Sequence, residues 1–324
     1  NIHTPYFINF ADADATTGGN ASAVYRYGKA IQDRVMQNFG AYLAKSSNWG
    51  GHAFNGKIFD QIRNLCLRNE IVNARAEEAF VADFWFPDTE VAGARDTEGS
   101  YKGFFFGAKG GFNAESHNHN DVGTCVLYYD GKPCLIDLGR EEYVAKTFSP
   151  RRYEIWTMQS GYHNLPVING TEQMPGQNFK AKNSSFTANP KSASFSTEIA
   201  GAYPEEAQVK SWIRSYTLNR NKSFVIHDKF ELSTFVKTTS LNLMTCSKVT
   251  RVKPGLLRLD GDGFSLNMSY DPTVLSPEIE YIEVNDRTLK QFWPDGVTRI
   301  KLRFTISGRK GNCTLTFKKS KNEI

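Results

Sequence analysis

The first part of the chain carries apolar residues at the spacing of a helix. Over residues 23–44 they recur every three or four positions and form one stripe along a helical surface. They are Val24, Tyr27, Ile31, Val35, Phe39 and Leu43. Two further stretches, 56–68 and 70–82, favour shorter helices. We therefore predict three helices within residues 1–88, after a polar loop over 1–22. Because three such helices make a poor independent domain, we interpret them as the end of a larger helical array.

The pattern changes after Phe86-Pro87. From about residue 89 onward, short runs of β-branched and aromatic residues alternate with turn residues, and helical periodicity is absent. The predicted strands are 91–95, 101–108, 122–129, 133–138, 192–199, 207–218, 222–232, 236–245, 248–259, 263–270, 278–284, 298–306 and 312–318. Strands of this number and spacing favour a large antiparallel β-sandwich. The predicted fold is therefore mainly β, with a short all-α segment over 1–88 and a sandwich over 89–324.

Composition and charge exclude only a few classes of protein. The 324 residues are 40% hydrophobic, and no apolar run reaches the about 18 residues of a membrane helix, so no membrane span is predicted. The net charge of +5 comes from Lys and Arg spread along the chain, without the basic block of a nucleic-acid-binding arm. A mild basic excess suits an acidic polysaccharide, although it also suits many other partners.

The five cysteines point to neither a zinc ribbon nor a dense disulfide framework, because their number is odd and no CxxC pair occurs. Cys125 and Cys134 flank a predicted hairpin and could face each other. Alternatively, all five are small buried apolar residues. The chain begins at Asn1 without a charged-then-apolar secretory segment, so either a signal peptide has been removed or the chain is a fragment.

A polar cluster, Glu115-Ser116-His117-Asn118-His119-Asn120-Asp121, lies between a Gly-rich turn and an apolar strand. A segment this polar cannot bury itself without partners. His-x-His-x-Asp offers imidazoles for metal binding or for proton transfer. The alternative is a solvated loop whose histidines make local hydrogen bonds.

Two later residues could complete a metal site. Asp137 lies in an apolar run, Leu135-Ile136-Asp137-Leu138, where its carboxylate needs a metal, an Arg or a backbone turn as partner. His163 lies at the entrance of another predicted strand. Two imidazoles and one carboxylate form a common zinc set, with a fourth position open.

The predicted hairpin complicates this site. Asp130-Gly131 is a strong type I′ signal, and a regular two-residue hairpin would pair Asp137 with Thr124. That register leaves Asp137 about five residues from His119 along a regular ladder. Either the histidine-bearing loop folds back over the strand, or a bulge at Gly123 redirects it.

The order of these short elements resembles the heparinase II/III-like lyases. The likeness rests on His117-Asn118-His119-Asn120-Asp121, on Leu127 to Gly131, on Ile136-Asp137-Leu138-Gly139, and on His163-Asn164 with Val167 to Gly170. It is strongest over residues 90–175. In that family a β-sandwich follows an (α/α) toroid, so the resemblance implies that the helices end such a toroid.

The resemblance also implies roles for individual residues. His119, Asp137 and His163 correspond to the family's zinc ligands, for one structural or site-organising ion. His117 corresponds to the histidine that points into the cleft, and Asn118 is a candidate for binding the substrate. Tyr153 is the candidate for a cleft tyrosine, with Tyr143 as its rival. This chain has His163-Asn164-Leu165 where the family often has His-Asn-Thr, a departure that keeps the histidine.

The implied reaction is β-elimination on a polysaccharide that contains uronic acid. A base removes the C5 proton, an acid assists the leaving oxygen, and the developing negative charge must be stabilised. The toroid residue that handles protons in the family lies upstream of where this chain begins. We therefore expect an incomplete enzyme that binds metal but shows little elimination. A periplasmic or extracellular location is expected, while the particular polysaccharide and the oligomeric state are not predicted.

Two other functions remain open at this point. A non-catalytic carbohydrate-binding module could use exposed aromatics such as Tyr128, Trp156 and Trp293, although each of these is more often a core residue. A zinc hydrolase with a metal-bound water is the second alternative. It is disfavoured because the chain lacks His-Glu-x-x-His.

Overall fold

The computed structural model describes residues 1–16, 20–46, 58–235, 238–305 and 308–320. They group into a helical unit, Asn1–Phe7 with Thr16–Phe80, and a strand-rich unit, Ile8–Ala15 with Val81–Ile324. The strands begin at Asp83, before the predicted boundary near residue 88. The segment Ile8–Ala15 therefore belongs with strands that follow it much later in the chain.

The helical unit contains α1 (Ala21–Ala30), α2 (Arg34–Ser46) and α3 (Ile58–Asn73). Its buried apolar side chains come from all three helices and include Tyr25, Phe39, Leu43 and Ile71. Among the helices described, none has both the length and the apolar character that a membrane span requires.

The single helix predicted over 23–44 is wrong, because two helices occupy this stretch. Gln32 lies between them with a φ of +60°, a left-handed conformation that an α-helix cannot continue through. The carboxylate of Asp33 then accepts a hydrogen bond from the backbone N–H of Met36 at 2.9 Å, which caps the start of α2. Three members of the predicted apolar stripe are consequently exposed: Tyr27, Ile31 and Val35.

The two helices predicted over 56–68 and 70–82 are also wrong in their bounds. Helix α3 spans the gap between them, and the chain from Ala74 to Ala82 is not helical. Residues 56 and 57 lie outside the described part of the chain.

The strand-rich unit is antiparallel throughout its described pairings. Its described strands are β1 (Asp83–Phe86), β2 (Val91–Arg95), β3 (Phe104–Lys109), β4 (Phe112–Asn113), β5 (Cys125–Tyr129), β6 (Lys132–Leu135), β7 (Pro166–Val167), β8 (Gly176–Lys180), β9 (Lys182–Ala188), β10 (Ser192–Glu198), β11 (Val209–Asn219), β12 (Ser223–Leu232), β13 (Ser240–Thr245), β14 (Lys248–Lys253), β15 (Leu256–Gly261), β16 (Phe264–Ser269), β17 (Leu275–Ile282), β18 (Val297–Phe304) and β19 (Lys310–Lys319). Four one-turn 3₁₀ helices lie between β6 and β7, at Ala145–Phe148, Arg152–Glu154, Trp156–Met158 and Ser160–Tyr162. The predicted fold class, mainly antiparallel β after a short helical segment, is confirmed.

These strands form three larger sheets and one pair. The orders are β1-β2-β3-β5-β6, β14-β15-β16-β19-β12-β11-β10-β9 and β17-β18-β13-β7, and β4 pairs with β8. The eight-stranded sheet packs against both smaller sheets. Phe224 on it lies 5.4 Å, between ring centroids, from Phe106 of the first sheet, and Trp212 lies 6.3 Å from Phe304 of the third. One continuous apolar core therefore joins the three sheets.

Most predicted strands are present, with shifted ends. The stretch 248–259 holds two strands instead of one, because Pro254-Gly255 makes a turn with Gly255 at a φ of +81°. Strands β1, β4, β8 and β9 were not predicted. Residues 236 and 237 of one predicted strand, and residue 306 of another, lie outside the described residues.

Candidate metal centre and the histidine loop

The histidine loop, residues 116–120, is held at both ends by one buried lysine. Lys109, at the end of β3, donates from Nζ to Glu115 Oε2 and to Asp121 Oδ1, each at 2.9 Å. The side chain of Lys109 is 2% exposed and that of Asp121 is fully buried. Burial alone lowers the pKa of the Lys109 amine, but the carboxylates of Asp121 and Glu115 raise it above its ordinary value. The amine is therefore charged, and it fixes the residues that flank the loop.

Replacement of Lys109 by Met is expected to destabilise the protein by about 3–5 kcal/mol, because it leaves Asp121 as a buried charge without its partner. Denaturant unfolding measures this change. The matched control is Lys102→Met, since the Lys102 side chain is 64% exposed and its nitrogen lies 3.9 Å from Asp130. That substitution should change the unfolding free energy by about 0.5 kcal/mol or less. Similar effects at the two positions would contradict the role given to Lys109.

The chain leaves the histidine loop through a tight turn. Thr124 N–H donates to the Asp121 carbonyl at 3.0 Å, and Gly123 has a φ of +82°. Gln173 secures this turn, because its Oε1 accepts from Val122 N–H at 3.0 Å and its Nε2 donates to the Val122 carbonyl at 2.7 Å. Of the two alternatives left open by the sequence, the structure thus has the redirection of the chain at Gly123.

The predicted pairing of Asp137 with Thr124 is wrong. The turn at Asp130-Gly131 has φ values of +49° and +76°, as a type I′ hairpin requires. The register then shifts between Leu127 and Tyr128, and strand β6 ends at Leu135. Asp137 therefore lies beyond the ladder, where its side chain can turn toward the histidine loop.

His119, Asp137 and His163 meet as a buried set of metal-capable groups. One ligand atom from each lies within 4.8 Å of the others, and the three side chains are almost fully buried. The three residues come from different segments: His119 from the histidine loop, Asp137 from the end of β6, and His163 from the end of the helix Ser160–Tyr162. The three residues predicted as metal ligands thus lie together, in an arrangement that could hold a metal ion.

The hydrogen bonds of the set also fit a metal. Asp137 Oδ2 lies 3.1 Å from His163 Nδ1, and Asp137 Oδ1 accepts from Gly139 N–H at 2.9 Å. His119 Nδ1 and His163 Nε2 are buried and make no hydrogen bond within the described structure. Unpartnered buried polar atoms are costly, and a bound cation would satisfy His119 Nδ1.

The charges within this set favour an ionised carboxylate. Burial raises the pKa of Asp137, but the charge and hydrogen bond of His163 outweigh it and hold the pKa below its ordinary value. Burial likewise lowers the pKa of His163, and the Asp137 carboxylate more than reverses this. Asp137 is therefore available as an anionic ligand.

His117 differs sharply from its neighbour two positions on. Its side chain is 54% exposed, whereas that of His119 is fully buried. Its Nδ1 lies 2.9 Å from Asp12 Oδ2 and 3.2 Å from the hydroxyl of Tyr143. Its backbone has a φ of +56°, a left-handed conformation that is strained for a residue with a Cβ.

This strain predicts an unusual ranking of variants. His117→Gly is expected to be more stable than His117→Ala by about 1 kcal/mol, because glycine adopts a positive φ without strain. The measurement is urea unfolding of both variants. The matched pair is Ser116→Gly and Ser116→Ala, since Ser116 is exposed and is not among the described residues with positive φ. There the order should reverse, and the same order at both positions would contradict strain at His117.

The structure places the two candidate tyrosines against different residues of the loop. Tyr143 O–H donates to Asp12 Oδ2 at 3.0 Å and its ring lies beside that of His117. The Tyr153 hydroxyl accepts from Asn118 Nδ2 at 3.2 Å. Asn118 is itself buried, so its side chain is occupied by the loop. The catalytic role of Tyr153 and the substrate-binding role of Asn118 stay predictions.

Sequence reasoning missed Asp12 and Arg152. Asp12 Oδ1 lies 3.0 Å from His119 Nε2 and accepts from Arg152 Nη2 at 2.6 Å. Burial raises the pKa of Asp12, but hydrogen bonds from His119, His117 and Arg152 bring it well below its ordinary value. No local pattern marks Asp12, which stands among other Asp and Ala residues.

The aromatic residues considered for sugar stacking are mostly core residues. Tyr128 is 1% exposed and Trp293 is 3% exposed, while Trp156 is partly buried and donates to Glu141. They do not provide an exposed stacking face. The described cysteines are all free, with Cys125, Cys134 and Cys313 buried, so the alternative of a Cys125–Cys134 disulfide is not formed.

Comparison with known proteins gives a consistent picture. The family model described as "Heparinase II/III-like, C-terminal" matches residues 82–287. No curated protein matches the chain in sequence. Similar solved structures include a heparan sulfate lyase from Pedobacter heparinus, with 14% identity, a TM-score of 0.69, and coverage of 100% of this chain and 45% of that one.

Two further structures share the fold. A heparinase III with methylated lysines has 16% identity and a TM-score of 0.67, covering 99% of this chain and 44% of that one. The chondroitin AC lyase of Streptomyces coelicolor A3 has 9% identity and a TM-score of 0.51, covering 98% and 45%. The chain thus spans less than half the length of the structures it resembles.

Proposed function

Because the chain belongs to the heparinase II/III-like family through residues 82–287, we propose that it works as a polysaccharide lyase on chains that contain uronic acid. The observation that carries the proposal is the contrast within the histidine loop. His119 is buried with Asp137 and His163 as a metal-capable set, while His117, two positions away, is exposed to solvent. The same loop therefore carries His119, which belongs to the buried metal-capable set, and His117, which a substrate can reach.

We propose zinc as the metal, held by His119, Asp137 and His163. Two imidazoles and one carboxylate suit this ion, and the buried His119 Nδ1 without a hydrogen bond supports its presence. Bound zinc would supply a fixed positive charge beside the loop. The protein's own residues Lys109 and Gln173 also hold the segments that flank the loop.

β-Elimination requires a proton to leave C5 of the uronate and the 4-linked oxygen to depart, with a double bond forming between C4 and C5. His117 and a tyrosine are the proposed groups for proton transfer. Tyr143 has its hydroxyl 3.2 Å from His117 Nδ1, and Tyr153 is held by Asn118. Arg152 donates to the Asn118 carbonyl at 3.0 Å and is fixed by Asp12, so it helps to hold this face of the loop.

The proposed partner is an acidic polysaccharide, which the net charge of +5 would attract. We propose a periplasmic or extracellular location, because polysaccharides of this kind lie outside the cytoplasm.

Product analysis tests the proposal. The protein is incubated with a panel of uronate polysaccharides, and the products are examined for new reducing ends and for ultraviolet absorbance of an unsaturated uronate. The expected result is unsaturated product. New reducing ends without a double bond would point to a hydrolase, and binding without any cleavage would point to a carbohydrate-binding module.

A further inference from the structure

One carboxylate contacts both histidines of the loop. Asp12 is carried by Ile8–Ala15, the segment that belongs with the strand-rich unit, and its side chain is 4% exposed. The same segment contacts the metal-capable set a second time, because Asn9 Nδ2 donates to the Asp137 carbonyl at 3.1 Å. It also passes close to Gly139, where a Cβ would lie 2.9 Å from the Ala13 carbonyl. The segment is thus built into the site.

The two oxygens of Asp12 are divided between the two histidines. Oδ1 faces His119 Nε2 at 3.0 Å, and Oδ2 faces His117 Nδ1 at 2.9 Å. An ionised carboxylate only accepts hydrogen bonds, so each facing nitrogen must carry a hydrogen. The two imidazoles present different nitrogens to the same group, and in their neutral forms they are therefore opposite tautomers.

We propose that Asp12 is the positioning residue that sets these two tautomers, leaving His119 Nδ1 free for the metal and His117 Nε2 free for the cleft. This inference rests on the proposed metal site. For His119 the consequence matches the structure, since Nδ1 is the nitrogen that is buried without a hydrogen bond. A metal-binding histidine is commonly oriented in this way by a carboxylate on its other nitrogen.

For His117 the consequence concerns the reaction. With Nδ1–H bound to Asp12, a neutral His117 presents an unprotonated Nε2, which accepts a proton instead of donating one. Tyr143 O–H donates to the same Oδ2 and so stands beside the imidazole. The geometry therefore fixes Nδ1 as the nitrogen of His117 that faces Asp12.

The first test measures zinc affinity of the whole chain by competition with a chromophoric chelator. Asp12→Ala is expected to weaken zinc binding by about 10- to 100-fold. Asp12→Asn keeps one accepting oxygen and the side-chain shape, so a smaller loss is expected. The matched control is Asp14→Ala, because Asp14 lies in the same segment and pairs with Arg140 at 3.5 Å. Zinc affinity of Asp12→Ala within twofold of the unaltered protein, or an equal loss for Asp14→Ala, would overturn the inference.

The second test reads the tautomers directly in metal-free protein, by long-range ¹⁵N–¹H NMR of labelled histidines. The expected pattern is Nε2–H at His119 and Nδ1–H at His117, with mixed tautomers in Asp12→Ala and the original pattern in Asp14→Ala. The opposite pattern in the unaltered protein overturns the inference. Because this readout needs no metal, the expected tautomers in a protein that fails to bind zinc would sink the proposed metal site and leave the role of Asp12 standing.

Discussion

Replacement of His163 by Ala is expected to abolish zinc binding and to destabilise the protein by about 3–5 kcal/mol. His163 is one of the three proposed ligands, and its loss also leaves Asp137 as a fully buried carboxylate without its partner imidazole. Elemental analysis should find about one zinc per chain before the change and almost none after it. Thermal unfolding with and without chelator completes the measurement. The chelator should lower the melting temperature of the unaltered protein and leave that of His163→Ala unchanged.

The matched control for this variant is His227→Ala. His227 lies on strand β12, outside the metal-capable set, and its Nδ1 is 2.9 Å from the hydroxyl of Thr314. Its replacement should keep both the zinc content and the response to chelator. A variant that lacks both His163 and Asp137 distinguishes a metal site from a simple ion pair between these two residues. If His163 and Asp137 only neutralised each other, removing both would restore much of the lost stability, and chelator would have no effect on the unaltered protein.

Elimination by the protein is expected to fall by about 10²–10⁴-fold when His117 is replaced by Ala, the range typical for loss of a proton-transfer group. His117 is the exposed histidine of the loop, whereas the metal-capable residues beside it are buried. The variant should therefore keep its zinc. Initial rates are measured by the absorbance of unsaturated uronate.

Zinc content and unfolding of His117→Ala serve as internal controls, and His227→Ala again controls for the loss of a histidine elsewhere. Unchanged elimination in a His117→Ala protein that still holds zinc would remove His117 from the reaction. A parallel loss of zinc would instead show that the substitution disturbs the whole loop, which contradicts a separate role for His117.

The metal-capable set could be predicted from sequence because distinctive residue types stand in the order found in the family that the chain resembles, and that resemblance selected His119 over His117 as a ligand. The chain has only six histidines, and a polar His-x-His run beside apolar strands needs partners. Asp137 was recognisable as a carboxylate in an apolar run. What the sequence could not supply was the register, since the shift between Leu127 and Tyr128 leaves no pattern of its own.

Asp12 was missed for a physical reason. It lies 107 positions from His119 in the chain, and a contact of that separation produces no periodicity. The helix break at Gln32 was missed similarly, because the apolar spacing continues through Ile31 and Val35 although both are exposed. The prediction of the fold class was nevertheless correct. It rests on the number and spacing of many strands, so an error at one helix or one contact does not change it.

Tyr128 is a core residue, the alternative that its type favours over sugar stacking. Strand β5 lies inside the first sheet and all five of its residues are buried. Because both faces of this interior strand are covered, neither of its faces is exposed to solvent. Alternation along the strand then carries no information about exposure.

The origin of Asp12 in an early segment has a consequence for how the site is made. A ribosome releases Ile8–Ala15 long before it has translated Asp137 or His163, yet all of these residues end in one strand-rich unit. Domains generally fold from the amino end as they emerge from the ribosome. Asp12 emerges early, but the helical residues Thr16–Phe80 are synthesised before the strand-rich unit to which Asp12 belongs. The histidines are therefore oriented late in synthesis, and a nascent chain halted before residue 163 would hold Asp12 without the complete set that it serves.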